Sequence, residues 1–163
     1  MSVITNNTVL SNLALINKLE LLRDTFGKVY LTPEVNQEVE NGIKFGYSFQ
    51  LHTKQVVNKQ EWLFLAQIDN SEFELFTKLT ESIHIGEASC LAIARKRGWI
   101  LLTDDFEARE YAKKLGVIVS GTVGVLRAAV YKELITEDQG EDFLRIMIEN
   151  GYRSPVKQLR DIL

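Results

Sequence analysis

Two adjacent carboxylates, Asp104 and Asp105, stand where the apolar run "WILLT" (residues 99–103) gives way to "FEAREYAKKLG". Like charges about 4 Å apart repel by roughly 4 kcal/mol at an effective dielectric near 20, so the pair needs a reason. One Asp is explained as a helix cap, worth about 1 kcal/mol; a second is not. Two more acids have comparable positions. Glu87 lies in the first turn of "IGEASCLAIARKRG", immediately before "WILLT", and Glu38 follows Glu34 by four residues beside Val35 and Val39. Taken singly, Glu87 complements a helix dipole and Glu38 sits on a solvated face. Taken together, the four suggest a convergent acidic site neutralised by a divalent cation, and oxygen-only ligands suit Mg²⁺ or Mn²⁺.

Other chemistries find less support. His52 and His84 have no partner at zinc-ligand spacing and no Ser or Cys in a recognisable nucleophile setting. Cys90, the lone cysteine, lies in apolar "ASCLAIA" and reads as a small buried thiol. "GTVG" (121–124) has no Lys after it and so is no P-loop. Gly121 and Gly124 there permit a tight strand-to-helix entry capped by Ser120 or Thr122, whose backbone N–H groups suit a phosphate.

These residues need a scaffold, and strand and helix signals alternate. "SVIT", "KVYLT", "WILLT" and "VIVS" are short apolar runs of the kind covered on both faces of a sheet. Between them fall helical stretches: 8–26 in two pieces, one capped by Thr32 with Pro33 in its first turn, 85–97 closed by Gly98, and 106–115 with Ala108, Tyr111, Ala112 and Leu115 on one stripe. Arg95, Lys96 and Arg97 read as a solvated helix end. The region 41–82 is less regular, with "EWLFLAQI" as an edge strand and a helix following Ser71. Two further helices are expected over 136–163, the first capped by Thr136, with a break at "NGYRSP". Strands and helices alternating through short turns imply parallel strands. In such sheets ligands bind at the carboxyl ends of the strands, which is where Asn6, Asn7, Asp104 and Asp105 fall.

The 163 residues fit one domain, 1–163, and 45% hydrophobic with 25% charged residues is an ordinary globular composition. A net charge of −3 gives no overall attraction to nucleic acid, so a polyanion must be held by a local patch. No secretory leader or membrane span is visible, which makes a cytoplasmic location the expectation. "EDFLRIMIE", with Phe143, Leu144, Ile146 and Met147, carries apolar surface that either core packing or a homodimer face explains.

The series "VITNNTVLSNLALINKLELL", "VYLTPEVNQEVENG" and "IGEASCLAIARKRGWILLTDDFEAREYAKKLGVIVSGTVGVLRAA" resembles the PIN-domain nucleases, closest to the toxin-like subgroup with G-E-A, D-D and G-T-x-G motifs. The similarity covers nearly the whole chain and is weakest over 44–82. It implies a PIN-like three-layer α/β/α sandwich with a mainly parallel sheet, and a metal-dependent endoribonuclease. Many bacterial members are toxins neutralised by a small antitoxin protein. The family's acids match Glu38, Glu87 and Asp105, with Asp104 beside the last. Its first-strand Asp falls on Asn6, which offers a carbonyl oxygen but no charge.

The resulting expectation is phosphodiester hydrolysis in RNA, with single strands or loops preferred. Glu38, Glu87, Asp104 and Asp105, with Asn6 as a neutral ligand, would hold one or two ions. Thr103 and Ser120 would orient water or phosphate, and Arg109 would contact the RNA backbone or form a surface salt bridge. Asn6 favours one rival, a catalytically retired protein-binding module. A phosphatase ranks last, since it needs a nucleophilic Asp at that position.

Overall fold

A computed structural model describes residues 1–163. Five strands form one sheet: β1 (Val3–Thr5), β2 (Val29–Leu31), β3 (Leu63–Leu65), β4 (Ile100–Leu102) and β5 (Val119–Ser120). Their order is β3-β2-β1-β4-β5, and every pairing is parallel. The fold is therefore the expected α/β arrangement, a parallel sheet flanked by helices. The strands are short, and their residues are largely sealed from water on both faces: Val3, Ile4, Val29, Leu31, Leu101 and Leu102 all belong to the core.

The crossovers are helical. α1 (Asn7–Leu15) and α2 (Leu21–Phe26) join β1 to β2; the break between them contains Asn17 in the left-handed region, φ 58°. α3 (Pro33–Phe45) and α4 (Gln50–Lys59) join β2 to β3, α5 (Asn70–Leu79) and α6 (Ile85–Arg97) join β3 to β4, and α7 (Phe106–Lys114) joins β4 to β5. α8 (Thr122–Tyr131) and α9 (Glu137–Glu149) follow the sheet. α6 is buried from Gly86 through Ala94, and its run of small residues lets neighbouring elements approach on every side.

Several boundaries differ from expectation. The helix after β3 begins at Asn70 and is capped by Asp69, not Ser71, because Asp69 and Glu72 form a reciprocal capping box. α4 was not foreseen. Of the two C-terminal helices only α9 is α-helical, capped by Thr136; the second is a 3₁₀ turn over Leu159–Ile162. Neither Ser120 nor Thr122 caps α8: its N-cap position is Gly121, and the Thr122 N–H donates 2.9 Å to the Asp104 carboxylate, supplied from another turn of the chain. Arg97 does more than end a helix. Its guanidinium forks onto the buried Glu72 carboxylate at 2.6 and 2.9 Å, tying α6 to α5. On α9, Leu144 and Met147 are buried and Phe143 lies against the core, so packing accounts for that stripe.

Candidate functional site

The strand order reverses between β1 and β4, and a crevice at the carboxyl ends of such a pair is where parallel sheets bind ligands. Backbone hydrogen bonds carry the alignment past the strand ends: Asn6 N–H donates to Leu102 O at 3.0 Å and Thr103 N–H to Ser120 O at 2.8 Å. Asn6, Thr103 and Ser120 are thereby set side by side along one edge.

Glu87 is the buried centre of the group. Its Oε1 accepts from the Asn6 amide at 2.6 Å and its Oε2 from the Thr103 hydroxyl at 3.0 Å. Burial pushes its carboxyl up to about 7; those two hydrogen bonds oppose the shift, and the nearby charges of Asp105 and Glu38 add to it. The charges of Glu38, from α3, and Asp105, from the β4–α7 turn, thus both reach Glu87 on α6.

The elements that deliver them are locally determined. Thr32 caps α3 by accepting from Val35 N–H at 3.1 Å, and its hydroxyl lies 2.8 Å from Ser89 Oγ on α6, which fixes the helix carrying Glu38 against the helix carrying Glu87. Glu38 in turn lies over the start of α6, where a Cβ on Gly86 would stand 2.1 Å from its Oε1. The glycine of G-E-A therefore makes room for Glu38. Burial raises the Glu38 carboxyl, with His84 Nδ1, 2.9 Å away, opposing the shift. Asp105 caps α7, its Oδ1 accepting from Ala108 N–H at 2.7 Å.

Some expected roles change. Asn6 does not present its carbonyl as a metal ligand: Oδ1 caps α1, accepting from Val9 N–H at 3.2 Å and the Thr8 hydroxyl at 2.9 Å. Flipping the amide would set N–H against N–H and oxygen against carboxylate, so its NH₂ faces Glu87 and Thr103. Asp104 is a clamp rather than a free ligand. It takes hydrogen bonds from Thr122 N–H and Oγ1–H, the Asn12 amide at 3.3 Å and the Tyr152 hydroxyl at 3.2 Å. That explains the acid pair: Asp105 caps the helix after it, and Asp104 holds three other segments together. Thr103 is 0% exposed, so its hydroxyl organises Asn6, Glu87 and the Asp105 N–H instead of meeting substrate.

Ser120 and Arg109 do reach open space. Both line a cleft of about 860 Å³ together with Asp104, Asp105, Tyr152 and Arg153. Arg109 makes no salt bridge; its Nη1 donates to Thr103 O at 3.0 Å. The Ser120 hydroxyl lies over Gly124, where a Cβ would come within 1.9 Å of Oγ, so the second glycine of G-T-x-G accommodates Ser120. Sequence reasoning missed His84 as the neighbour of Glu38, and it missed Tyr152 and Arg153, which the C-terminal segment brings back to the acids.

The donors match a hard divalent cation in type, being oxygen-only carboxylates whose mutual repulsion a cation relieves. Their geometry is less complete: no three Asp, Glu, His or Cys side chains close into a ligand set. At Asn6 a hydrogen-bond donor satisfies Glu87 where an aspartate would add a charge.

A family model described as a PIN domain matches residues 2–163. Among solved structures, VapBC2 from Rickettsia felis, bound to a DNA fragment from their promoter, is similar at a TM-score of 0.51 and 15% identity, over 74% of this chain and 98% of that one. No curated protein is matched. A family model spanning all but the first residue, on a fold with these motifs in register, places the chain in the PIN-domain family.

Proposed function

We propose that the chain is an endoribonuclease that hydrolyses RNA with Mg²⁺ or Mn²⁺ and is attenuated by Asn6. In this reading it is the toxin of a toxin–antitoxin pair, held by a small antitoxin-like protein, and acts in the cytoplasm, where its RNA substrate lies. The observation that carries the reading is geometric: at the switch point of the sheet Glu87 is buried and hydrogen-bonded by Asn6 and Thr103, with Glu38 lying over Gly86 beside it and Asp105 capping the helix that follows Thr103.

Glu38, Glu87 and Asp105 are the residues that would hold the ion. Such an ion supplies Lewis-acid stabilisation of phosphoryl charge and acidifies a bound water. The chain's own contribution is placement. Thr103 and Asn6 orient Glu87, Asp104 fixes the entry of α8, and Arg109 and Arg153 offer guanidinium groups to phosphate oxygens.

The test is cleavage of a labelled single-stranded RNA by purified protein with Mn²⁺. Cleavage is expected to stop in EDTA. Asp105→Asn keeps an oxygen for the helix cap and removes the charge, and it is expected to slow cutting on the order of 100-fold, at the upper end for disturbed metal sites. Cleavage that persists in EDTA, or is unchanged in the variant, contradicts the proposal.

One observation favours a second reading, a retired binding module: the Asn6 amide already satisfies Glu87. RNA left intact by both the wild type and Asn6→Asp would support it.

A further inference from the structure

A second cleft, of about 870 Å³, opens beside the first and shares Asn12 and Tyr152 with it. Its character is different. The first cleft contains Arg109 and Arg153; the second has no Lys or Arg in its lining. Its outer wall is aromatic. Phe45, at the end of α3, and Tyr47 and Phe49, in the turn to α4, form a row with ring centroids 5.6 and 5.8 Å apart. Phe45 is 80% exposed and Tyr47 51%, an arrangement the core does not require. Glu38 and His84 lie in the same cleft, so the row adjoins the acidic site.

The lining also contains Gln50, only 2% exposed. Its amide nitrogen donates to Asn7 Oδ1 and Ser11 Oγ, while its Oε1 is buried without any hydrogen-bond partner. A buried acceptor with no donor is unfavourable, and it suits a ligand that brings an N–H group. Asn41 and Asn150 add further amide groups. A flat π face, a free acceptor and neighbouring amides are what a nucleobase with amino hydrogens needs; the absence of cations argues against a phosphate here.

We propose that this cleft receives an unpaired base of a single-stranded RNA, stacked on the Phe45–Tyr47–Phe49 row and read at its edge by Gln50, while the strand's phosphates run through the neighbouring cleft past Arg109 and Arg153. The inference rests on the RNA reading above and adds a base-binding subsite to it. Stacking on aromatic side chains is sequence-tolerant and contributes substantially per base, so the subsite selects unpaired strands over duplexes.

The experiment is fluorescence anisotropy in EDTA, so that nothing is cut, with a labelled single-stranded RNA and an abasic ribose-phosphate chain of equal length. The wild type is expected to bind the base-bearing strand roughly tenfold more tightly than the abasic one. Phe45→Ala with Tyr47→Ala should remove most of that difference and leave abasic binding unchanged; both positions are exposed, and Phe45→Trp should restore binding. Unchanged affinity in the double variant overturns the subsite, and continued Mn²⁺-dependent cleavage then leaves the nuclease reading intact. Binding of neither strand overturns the subsite, and absence of Mn²⁺-dependent cleavage beside it overturns the nuclease reading as well. If sedimentation shows self-association lost in the double variant while RNA affinity is kept, the row is a protein interface and the proposal fails.

Discussion

Burial, with the charges of Asp105 and Glu38, moves the Glu87 carboxyl from the usual 4.5 to about 7. The folded protein therefore holds this proton more tightly than the unfolded chain. The associated stability is fully present below about pH 4.5 and is lost as pH rises toward and through 7. A shift of this size corresponds to about 3 kcal/mol. Metal-free protein unfolded by denaturant should thus weaken between about pH 5 and pH 8 relative to Glu87→Gln, which cannot ionise. Parallel pH profiles for the two would mean that Glu87 ionises without penalty. The same residue shows what a single sequence can convey. The acid in "GEA" is visible as a helix-start carboxylate, but its burial and the identity of its partners depend on residues about 80 and 16 positions away, Asn6 and Thr103.

The glycines of the two motifs act through the elements they open. Gly86 admits the Glu38 carboxylate to the start of α6, and Gly121 lies where a Cβ would meet Asp104 Oδ1 at 2.6 Å. Gly124 is the cleanest case for measurement, because its obstacle is one atom. Gly124→Ala should destabilise by roughly 1–3 kcal/mol, as overpacking does. Ser120→Ala removes the Oγ that a Cβ would meet at 1.9 Å and leaves a contact of 3.3 Å, so the double variant should recover much of the loss in a thermal-melt cycle. Additive losses would show that the glycine serves something else. Elements whose apolar pattern agrees with their burial are legible in the sequence: β1, β2, β4, α6 and α7 fall within a residue or two of expectation. α4 does not, for a physical reason. Its buried positions are Gln50, Thr53, Val56 and Val57, at helical spacing but with polar residues at half of them, so hydrophobicity shows no period. The Phe45–Tyr47–Phe49 row was hidden with it, since the turn that aligns the rings exists only between α3 and α4.

The acidic site belongs to the whole molecule. Its residues come from the end of β1, the middle of α3, the first turn of α6 and the turn after β4, and the order β3-β2-β1-β4-β5 is what brings them to one edge. The motifs and their helix or strand positions can be read in one dimension. The use of Asn6 cannot: only the folded chain shows its oxygen capping α1 and its amide facing Glu87. With Asn6 as donor, the pocket has hydrogen-bonded its own central acid; with a carboxylate there, charge would have to be neutralised from outside. No helix of the chain is long and apolar enough to cross a membrane. Calorimetric titration of Mn²⁺ into the wild type and into Asn6→Asp addresses the account directly. It predicts weak binding to the wild type, abolished by Glu87→Gln, and binding at least roughly tenfold tighter in Asn6→Asp. Equal affinity in the two proteins, or a site indifferent to Glu87, would contradict it.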